Sequence, residues 1–483
     1  MKHKSFRHFS FAFLICIAMP MMAQTSEKSY ERYYQDLPVQ VKAVERPVIP
    51  ANEVNLKDVG GVADGITLNT EAFAKGISTL SKQGGGRLIV PEGVWLTGPI
   101  MLKDNIDLHL QKNAIVVFSP DKSLYIDTKN PNAKRVLPAI RASKRKNIAI
   151  TGWGILDGNG EHWRPVKRDK VSNVEWNQFH KVIGGIDKDN GKLFYPWDVK
   201  AGYANVGETP EQQDKMRNDM LRFTDCENVL VEGVTVQNSP KFHVHPLNCR
   251  NVIIDGVTVR CPWNAQNGDA IDFSDVNVGL IVNCVVDAGD DGLCMKSGKF
   301  KEKSPANGCE DIVIQDNTVF HAHGGFVLGS ETISGMRRIV VRHNVFSGTD
   351  TGLRFKSGVG RGGKTEQMYI SDIQMTDIKD QAIVFQCDYV DRPAGSEIPT
   401  ATTQQPSPIT HHLAPEFQDI HISRVTCRGT HTGIKASGLE GLDSVHDIDI
   451  SDVTIVYNNT DQQIDDKTAK LKLTNVKMVK NTK

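Results

Sequence analysis

Asn228–Val236 reads NVLVEGVTV, and Asn251–Val259 reads NVIIDGVTV. Each is a short run of β-branched residues, a polar break, and a second short apolar run. The pattern returns as NIAITGWGI at 147–155, GLIVNCVV at 279–286, DIVIQDNTV at 311–319 and RIVVRHNVF at 338–346. It continues as MYISDIQM at 368–375, IHISRVTC at 420–427 and IDISDVTI at 448–455. Alignment on the central apolar residue gives Ile150, Val231, Ile254, Val282, Ile314, Val341, Ile370, Ile422 and Ile450. Most steps are 23 to 32 residues; two are longer, 81 (231 − 150) and 52 (422 − 370). A period of this size without amphipathic helices between the strands means a β-solenoid.

A second strand follows each first one: GDAIDFSD, DGLCMKSG, GGFVLGS, TGLRFKSG, QAIVFQCD and TGIKASG. Strands alternate sides with period two. Ile271/Phe273, Leu293/Met295, Phe326/Leu328, Leu353/Phe355 and Ile383/Phe385 therefore point inward. Asp272, Cys294, Lys296, Val327, Arg354, Lys356, Val384, Gln386 and Lys435 point outward. The expected fold is all-β: a single-stranded, right-handed parallel β-helix, the hand following that of parallel crossover connections. An open solenoid end exposes unpaired strand edges and needs a cover. The segment 46–110 supplies one, with Thr70 as the helix cap and Phe73, Ile77 and Leu80 on one helical face. Gly84, Gly85 and Gly86 end that helix.

The chain has 483 residues, with 57 Lys+Arg against 57 Asp+Glu, so no charge excess points to a polyanion-binding coat. No apolar run is long enough to span a bilayer. Residues 1–23 carry Lys2, Lys4 and Arg7, an apolar stretch from Phe9 to Met19, and a small residue at Ala23, the pattern of a secretory signal. The expected address is periplasmic or secreted. Residues 24–45 form an N-terminal extension, and 46–483 the β-helix. Removing the signal leaves 54 − 57 = −3. Eight of the nine cysteines lie beyond it with no CxxC pair, which suits buried ladder residues with at most one bridge.

The second strands align on Ala270, Gly292, Gly325, Gly352, Ala382 and Gly433. Asp269 and Asp291 then share one slot on adjacent coils, and Asp290 and His323 share the slot before it. Arg354 and Lys356 follow on the next coil. Neighbouring coils stack about 4.8 Å apart, so three carboxylates, an imidazole and two cations meet on one outer ridge. Crowded carboxylates resist joint ionisation, which raises one pKa and supplies an acid near neutral pH. Their spacing leans toward the water-bridged pair of an inverting glycosidase. Turn aspartates that bond only their own backbone, or a calcium site, are the competing readings.

These motifs resemble glycoside hydrolase family 28, the polygalacturonases, which show Asn-Thr-Asp, Asp-Asp, Gly-His-Gly and Arg-Ile-Lys in this order. Here they stand as Asn267-Gly268-Asp269, Asp290-Asp291, Ala322-His323-Gly324 and Arg354-Phe355-Lys356. The resemblance covers about residues 50–460. It implies that Asp290 is the general acid, that Asp269 and Asp291 activate water, and that His323 tunes the acid. Arg354 and Lys356 would hold a galacturonate carboxylate, and Tyr389 would contact the sugar. Asn267, Lys296 and His245 complete the expected substrate contacts; His243 and His245 are alternatively solvated surface residues. The partner is a galacturonate-containing pectic saccharide, with no metal and no cofactor required. Two insertions, about 160–217 (with Trp163, Trp176 and Trp197) and 390–416, would wall one end of the cleft and favour exo action. A calcium-dependent pectate lyase and a non-catalytic pectin-binding solenoid remain the alternatives.

Overall fold

Each full coil is closed by three short parallel strands, so the chain has three ladders of stacked side chains. The computed structural model describes residues 29–127, 136–182, 186–188, 191–195, 217–298, 306–389 and 414–482. On the first face the inward column runs Val54, Leu88, Leu108, Ile150, Val231, Ile254, Ile281, Ile314, Val341, Ile370, Ile422, Ile450 and Leu473. On a second, which carries the cleft, it runs Leu221, Val244, Ile271, Leu293, Phe326, Leu353, Ile383 and Ile434. The third face stacks Leu156, Val236, Val259, Val286, Val319, Phe346 and Met375. The three columns meet in one continuous apolar core.

The ladder begins earlier than the repeat pattern does, because Glu53–Asn55 already pairs with Gly86–Val90. Helix α1 (Thr70–Lys82) covers that end with Phe73, Ile77 and Leu80 in the core. Asn69, not Thr70, sits at the helix start. Its side chain ties the preceding loop to Val62 and Leu96, while Thr70 Oγ1 accepts from Gly98 N at 2.7 Å. At the far end Ala469–Lys480 is the last strand, and Lys470, Lys472, Lys477 and Lys480 alternate with the part-buried Leu471, Leu473, Val476 and Met478. Lysines on an exposed edge discourage pairing with another chain.

One register differs from expectation. Ile281, not Val282, continues the inward column; Val282 pairs with Asp255 and faces outward. Three consecutive apolar residues, Leu280–Val282, hide a one-residue slip, which puts the side chain on the opposite face. That outward side is itself buried. Ala149, Leu230, Ile253, Leu280 and Val313 on the first face are covered by Tyr30, Tyr33 and Val44 from the N-terminal extension. Tyr30 Oη donates to Asp255 at 3.1 Å, Asn283 donates to Tyr33 Oη at 2.9 Å, and Arg46 makes two hydrogen bonds to Glu232.

The turns are single residues in left-handed backbone, which asparagine tolerates. Asn105, Asn147, Asn228 and Asn251 stack at one such corner, the amides of the last three each donating to the side chain on the coil before at 2.9 Å. The eight cysteines among the described residues are all free, buried thiols, so no disulfide clamps the coils there.

The first insertion leaves between the third-face strand Ile155–Asp157 and the cleft strand Leu221–Thr224. It is not plain loop. Val166–Lys167, Leu193–Tyr195 and Ile186–Lys188 form a small antiparallel sheet, and α2 (Asn173–Val182) packs Trp176 and Phe179 against Val166, Val171 and Phe194. Trp163 packs edge-on to Tyr125, ring centroids 5.0 Å apart. Trp197 lies outside the described residues, as do residues 1–28 and 390–413. Glu416–Phe417 belongs to the ladder, pairing with Lys364–Thr365, so the second insertion ends before it. No helix among the described residues is long and apolar enough to cross a membrane.

Candidate active site

The turn between third face and cleft face is where successive coils stack Asp269, Asp290–Asp291 and His323. Backbone bonds fix this register: Ala270 N donates to Asp291 O at 2.9 Å, and His323 N donates to Asp290 O at 2.9 Å. Asn267 takes left-handed backbone (φ 53°) and its Oδ1 accepts from Arg217 at 3.1 Å. A Cβ at Gly268 would sit 3.0 Å from Ala265 Cβ and 3.1 Å from Cys261 Sγ, so a larger residue there requires Ala265 and Cys261 to give way by a few tenths of an ångström. Gly329 is forced, because its φ is +95° and a Cβ would meet Lys356 O at 1.8 Å.

Asp290 Oδ1 accepts from Asp291 N at 3.0 Å and lies 3.0 Å from His323 Nδ1. Asp291 Oδ2 accepts from Lys356 Nζ at 2.7 Å, and Arg354 stands 3.7 Å from its other oxygen. Lys296 Nζ bridges Asp269 at 2.9 Å and Asp272 at 2.6 Å, over the ring of Phe242. One oxygen each of Asp290 and Asp291 and a ring nitrogen of His323 lie within 4.8 Å of one another. Lys356 and Arg354 also lie over the Tyr389 ring, at 5.2 and 5.9 Å. Asp269 Oδ1 and Asp291 Oδ1 are buried and have no hydrogen-bond partner among the described residues.

Two expected substrate cations are thus engaged internally. Lys356 serves Asp291, and Lys296 serves Asp269 and Asp272, because a buried carboxylate needs a counter-ion. Arg354 is held less tightly and is 21% exposed. The histidines also differ from expectation. His245 is neither solvated nor a free contact: Nδ1 lies 2.8 Å from Asp219 and Nε2 lies 3.0 Å from Ser274 Oγ. His243 is fully buried between Ser239 N and Asp269 O, and burial depresses it to about 4.

One carboxyl of the crowded ridge is raised, and it is Asp269 rather than Asp290, to which the resemblance gives the acid's role. Burial, reinforced by the charges of Asp272, Asp290 and Asp291, pushes Asp269 well above the usual carboxyl range against Lys296. Burial also pushes Asp291 up, but Lys356 and Arg354 outweigh it and hold the group low. Asp290 is likewise lowered, burial being overcome by the cationic form of His323, and His323 is raised in return by Asp290. Asp290 is nonetheless the carboxylate that faces the cleft: its side chain is 19% exposed, against 4% for Asp269 and 2% for Asp291.

A cleft of about 420 Å³ runs over this ridge, from Lys241 and Phe242 past Asn267 and Asp290 to Glu331 and Tyr389. A larger cavity, about 1000 Å³, lies between the first insertion and the third face, lined by Arg164, Phe179, Arg260 and Trp263. It touches none of the three carboxylates, so volume alone does not locate the chemistry.

Sequence reasoning missed Asp219, Arg222, Lys241 and Phe242. Arg222 stacks in register with His245, Asp272 and Cys294. Reading LRFT at 221–224 as one more second strand, with Leu221 and Phe223 inward, would have found it. Lys170 had no such signal, because only the folded insertion brings it to the site, 3.1 Å from His323 Nε2.

A sequence profile of glycosyl hydrolases family 28 matches residues 180–471. The exo-poly-α-D-galacturonosidase of Dickeya chrysanthemi is 27% identical over 350 residues, covering 70% of this chain and 57% of its own length. A probable polygalacturonase of Vitis vinifera is 30% identical over 345 residues, 68% of this chain and 62% of its own length. The chain therefore spans about three-fifths of the length of these relatives. Among solved structures, a hyperthermoactive exopolygalacturonase from Thermotoga maritima matches with a TM-score of 0.69 and 29% identity, over 90% of this chain and 94% of its own. The family 28 exopolygalacturonase of Yersinia enterocolitica shares the fold, with a TM-score of 0.62 and 22% identity over 88% of this chain and 78% of its own.

Proposed function

The chain belongs to glycosyl hydrolases family 28, and from that premise we propose that it hydrolyses α-linked galacturonic acid in pectin, from a chain end and with inversion. The observation that carries this reading is the ridge: three carboxylates from two adjacent coils line one cleft with Lys296 and Lys356, and His323 is paired with the cleft-facing Asp290. Asp290, the cleft-facing carboxyl, protonates the glycosidic oxygen as the C–O bond breaks. Water attacks the anomeric carbon from the opposite side and gives its proton to Asp291, which Lys356 and Arg354 keep ionised. Asp269, whose second oxygen is an unused acceptor, positions that water. Separated acid and base with a water between them give inversion.

Arg354 takes the galacturonate carboxylate, since a guanidinium fork matches its two oxygens. Tyr389 packs beneath the same cations and borders the sugar. The first insertion reaches the catalytic turn, which favours a cleft closed at one end and release of single units. Export to the periplasm or the medium follows from Lys2, Lys4, Arg7 and the apolar stretch after them; N-terminal sequencing of the protein recovered outside the cytoplasm checks it.

The test is incubation with polygalacturonate and with defined oligogalacturonides while reducing ends and products are followed. Saturated monogalacturonate is expected. Unsaturated products abolished by a chelator indicate lyase chemistry instead, and a folded protein that cleaves no galacturonide refutes the hydrolase reading.

A further inference from the structure

Lys170 closes the short turn Arg168–Lys170 in the first insertion. That turn is anchored on both sides. Before it, Val166–Lys167 pairs with Leu193 and Phe194; after it, Val171 is buried beside Phe194. Its ammonium is thereby set 3.1 Å from His323 Nε2, while His323 Nδ1 lies 3.0 Å from Asp290 Oδ1. The other charged groups facing this imidazole are Asp291 on the neighbouring coil and Asp350 on the next, whose Oδ2 is 3.8 Å from Nε2 and whose Oδ1 is paired with Lys379.

A neutral imidazole has one N–H and one acceptor nitrogen, and an ammonium has donors only. One tautomer alone satisfies both neighbours: Nδ1–H donating to Asp290, and Nε2 accepting from Lys170. When the pair takes up the further proton that acid catalysis needs, two sites compete, His323 Nε2 and the second oxygen of Asp290. The ammonium already faces Nε2, so a proton there would set two cationic donors against each other.

We propose that Lys170 is a positioning residue that fixes the His323 tautomer and directs the catalytic proton onto Asp290. It does not touch the reacting atoms. The proposal rests on the hydrolase reading above, in which Asp290 passes that proton to the leaving oxygen. The charge effect runs the same way: Lys170 opposes protonation of His323, against the stronger pull of Asp290. This gives the insertion a task in proton placement as well as in shaping the cleft.

The full chain, labelled with 15N in its histidine rings, tests the idea without substrate, with His323 identified by subtraction of a His323→Gln sample. In the parent protein Nε2 of His323 is expected to titrate above the ordinary imidazole range, because Asp290 favours the cation, and to give an unprotonated-nitrogen signal above that titration. In Lys170→Met it should protonate about one pH unit higher. On short galacturonides the same variant should lose roughly tenfold in kcat, part of the roughly 10²–10⁴ that a general acid supplies. KM should be little changed, and the alkaline limb should move to higher pH. Lys170→Arg, which keeps the cationic donor, should restore the profile and also controls for folding. Superimposable His323 titrations and pH–rate profiles in Lys170→Met would overturn the proposal, as would a rise in KM alone, which marks a substrate contact. If the parent protein cleaves no galacturonide, the hydrolase reading fails and the nitrogen titration still decides the role of Lys170.

Discussion

Two outward faces of the same coils are buried for opposite reasons. On the first face, Leu230, Ile253 and Leu280 point away from the core and are covered by Tyr30, Tyr33 and Val44 of the same chain. On the cleft face, Asp269, Asp272 and Asp291 also point away from the core, yet burial there is accomplished by Lys296, Lys356 and their neighbours. An outward apolar row on a solenoid marks a surface the chain covers itself. An outward row of paired charges marks one left for a polar ligand, because desolvating those groups gives no folding advantage. The first face should therefore govern stability and the cleft face rate.

The sharpest way to break that division is Asp290→Asn. It should lower kcat on a short galacturonide by roughly 10²–10⁴ while leaving the thermal midpoint in place, since the amide keeps an acceptor for Asp291 N. Initial rates and a melting curve on one preparation decide it; a large fall in midpoint would mean the cleft face is structural after all. Lys356→Met probes where the division blurs. It strands the 2%-exposed Asp291 carboxylate, so about 3–5 kcal/mol of stability should be lost together with activity. Denaturant unfolding reads the first effect and initial rates the second.

On the first face, Ile253→Ala removes a fully buried side chain beneath the N-terminal segment. A loss of about 2–5 kcal/mol with kcat unchanged is expected from denaturant titration and kinetics. The mildest test uses pH. His243 stays neutral in the fold down to about 4, whereas an unfolded histidine takes up a proton near 6.5. The unfolded state therefore binds more protons between those values. Stability should fall as pH drops through that window, by about 3 kcal/mol from this residue. Unfolding free energies at pH 7 and pH 4 should differ less in His243→Phe; equal pH slopes would remove His243 from the account.

Much of this was legible in the sequence, and the gaps have physical causes. Period-two alternation placed Ile271, Phe273, Leu293 and Met295 inside, and a single alignment brought Asp269, Asp290, Asp291 and His323 together. Alternation could not say what covers an outward apolar residue. Strands such as NVLVEG and NVIIDG are apolar on both faces, which signals double burial, but their cover comes from Tyr30 and Tyr33, some 200 residues earlier in the chain. The Val282 slip has the same origin, since both of its faces are apolar. Val278 shows how strongly that cover acts: a β-branched residue holds φ 62°, in the corner slot where Asn251 sits on the coil before, and packs into the same cluster. Lys170 was invisible because its place depends on a folded insertion. The raised carboxyl proved to be Asp269 because its burial, which charge counting along the ridge does not register, outweighs its pairing with Lys296.

The central claim is that the Asp269–Asp290–Asp291 ridge hydrolyses galacturonides with inversion. Proton NMR of a defined oligogalacturonide during the first turnovers tests it most directly. The account predicts saturated galacturonate released from one chain end with the β-anomer appearing first, and none of it with Asp290→Asn. The α-anomer appearing first, an unsaturated uronate, or an unchanged rate in Asp290→Asn would contradict it.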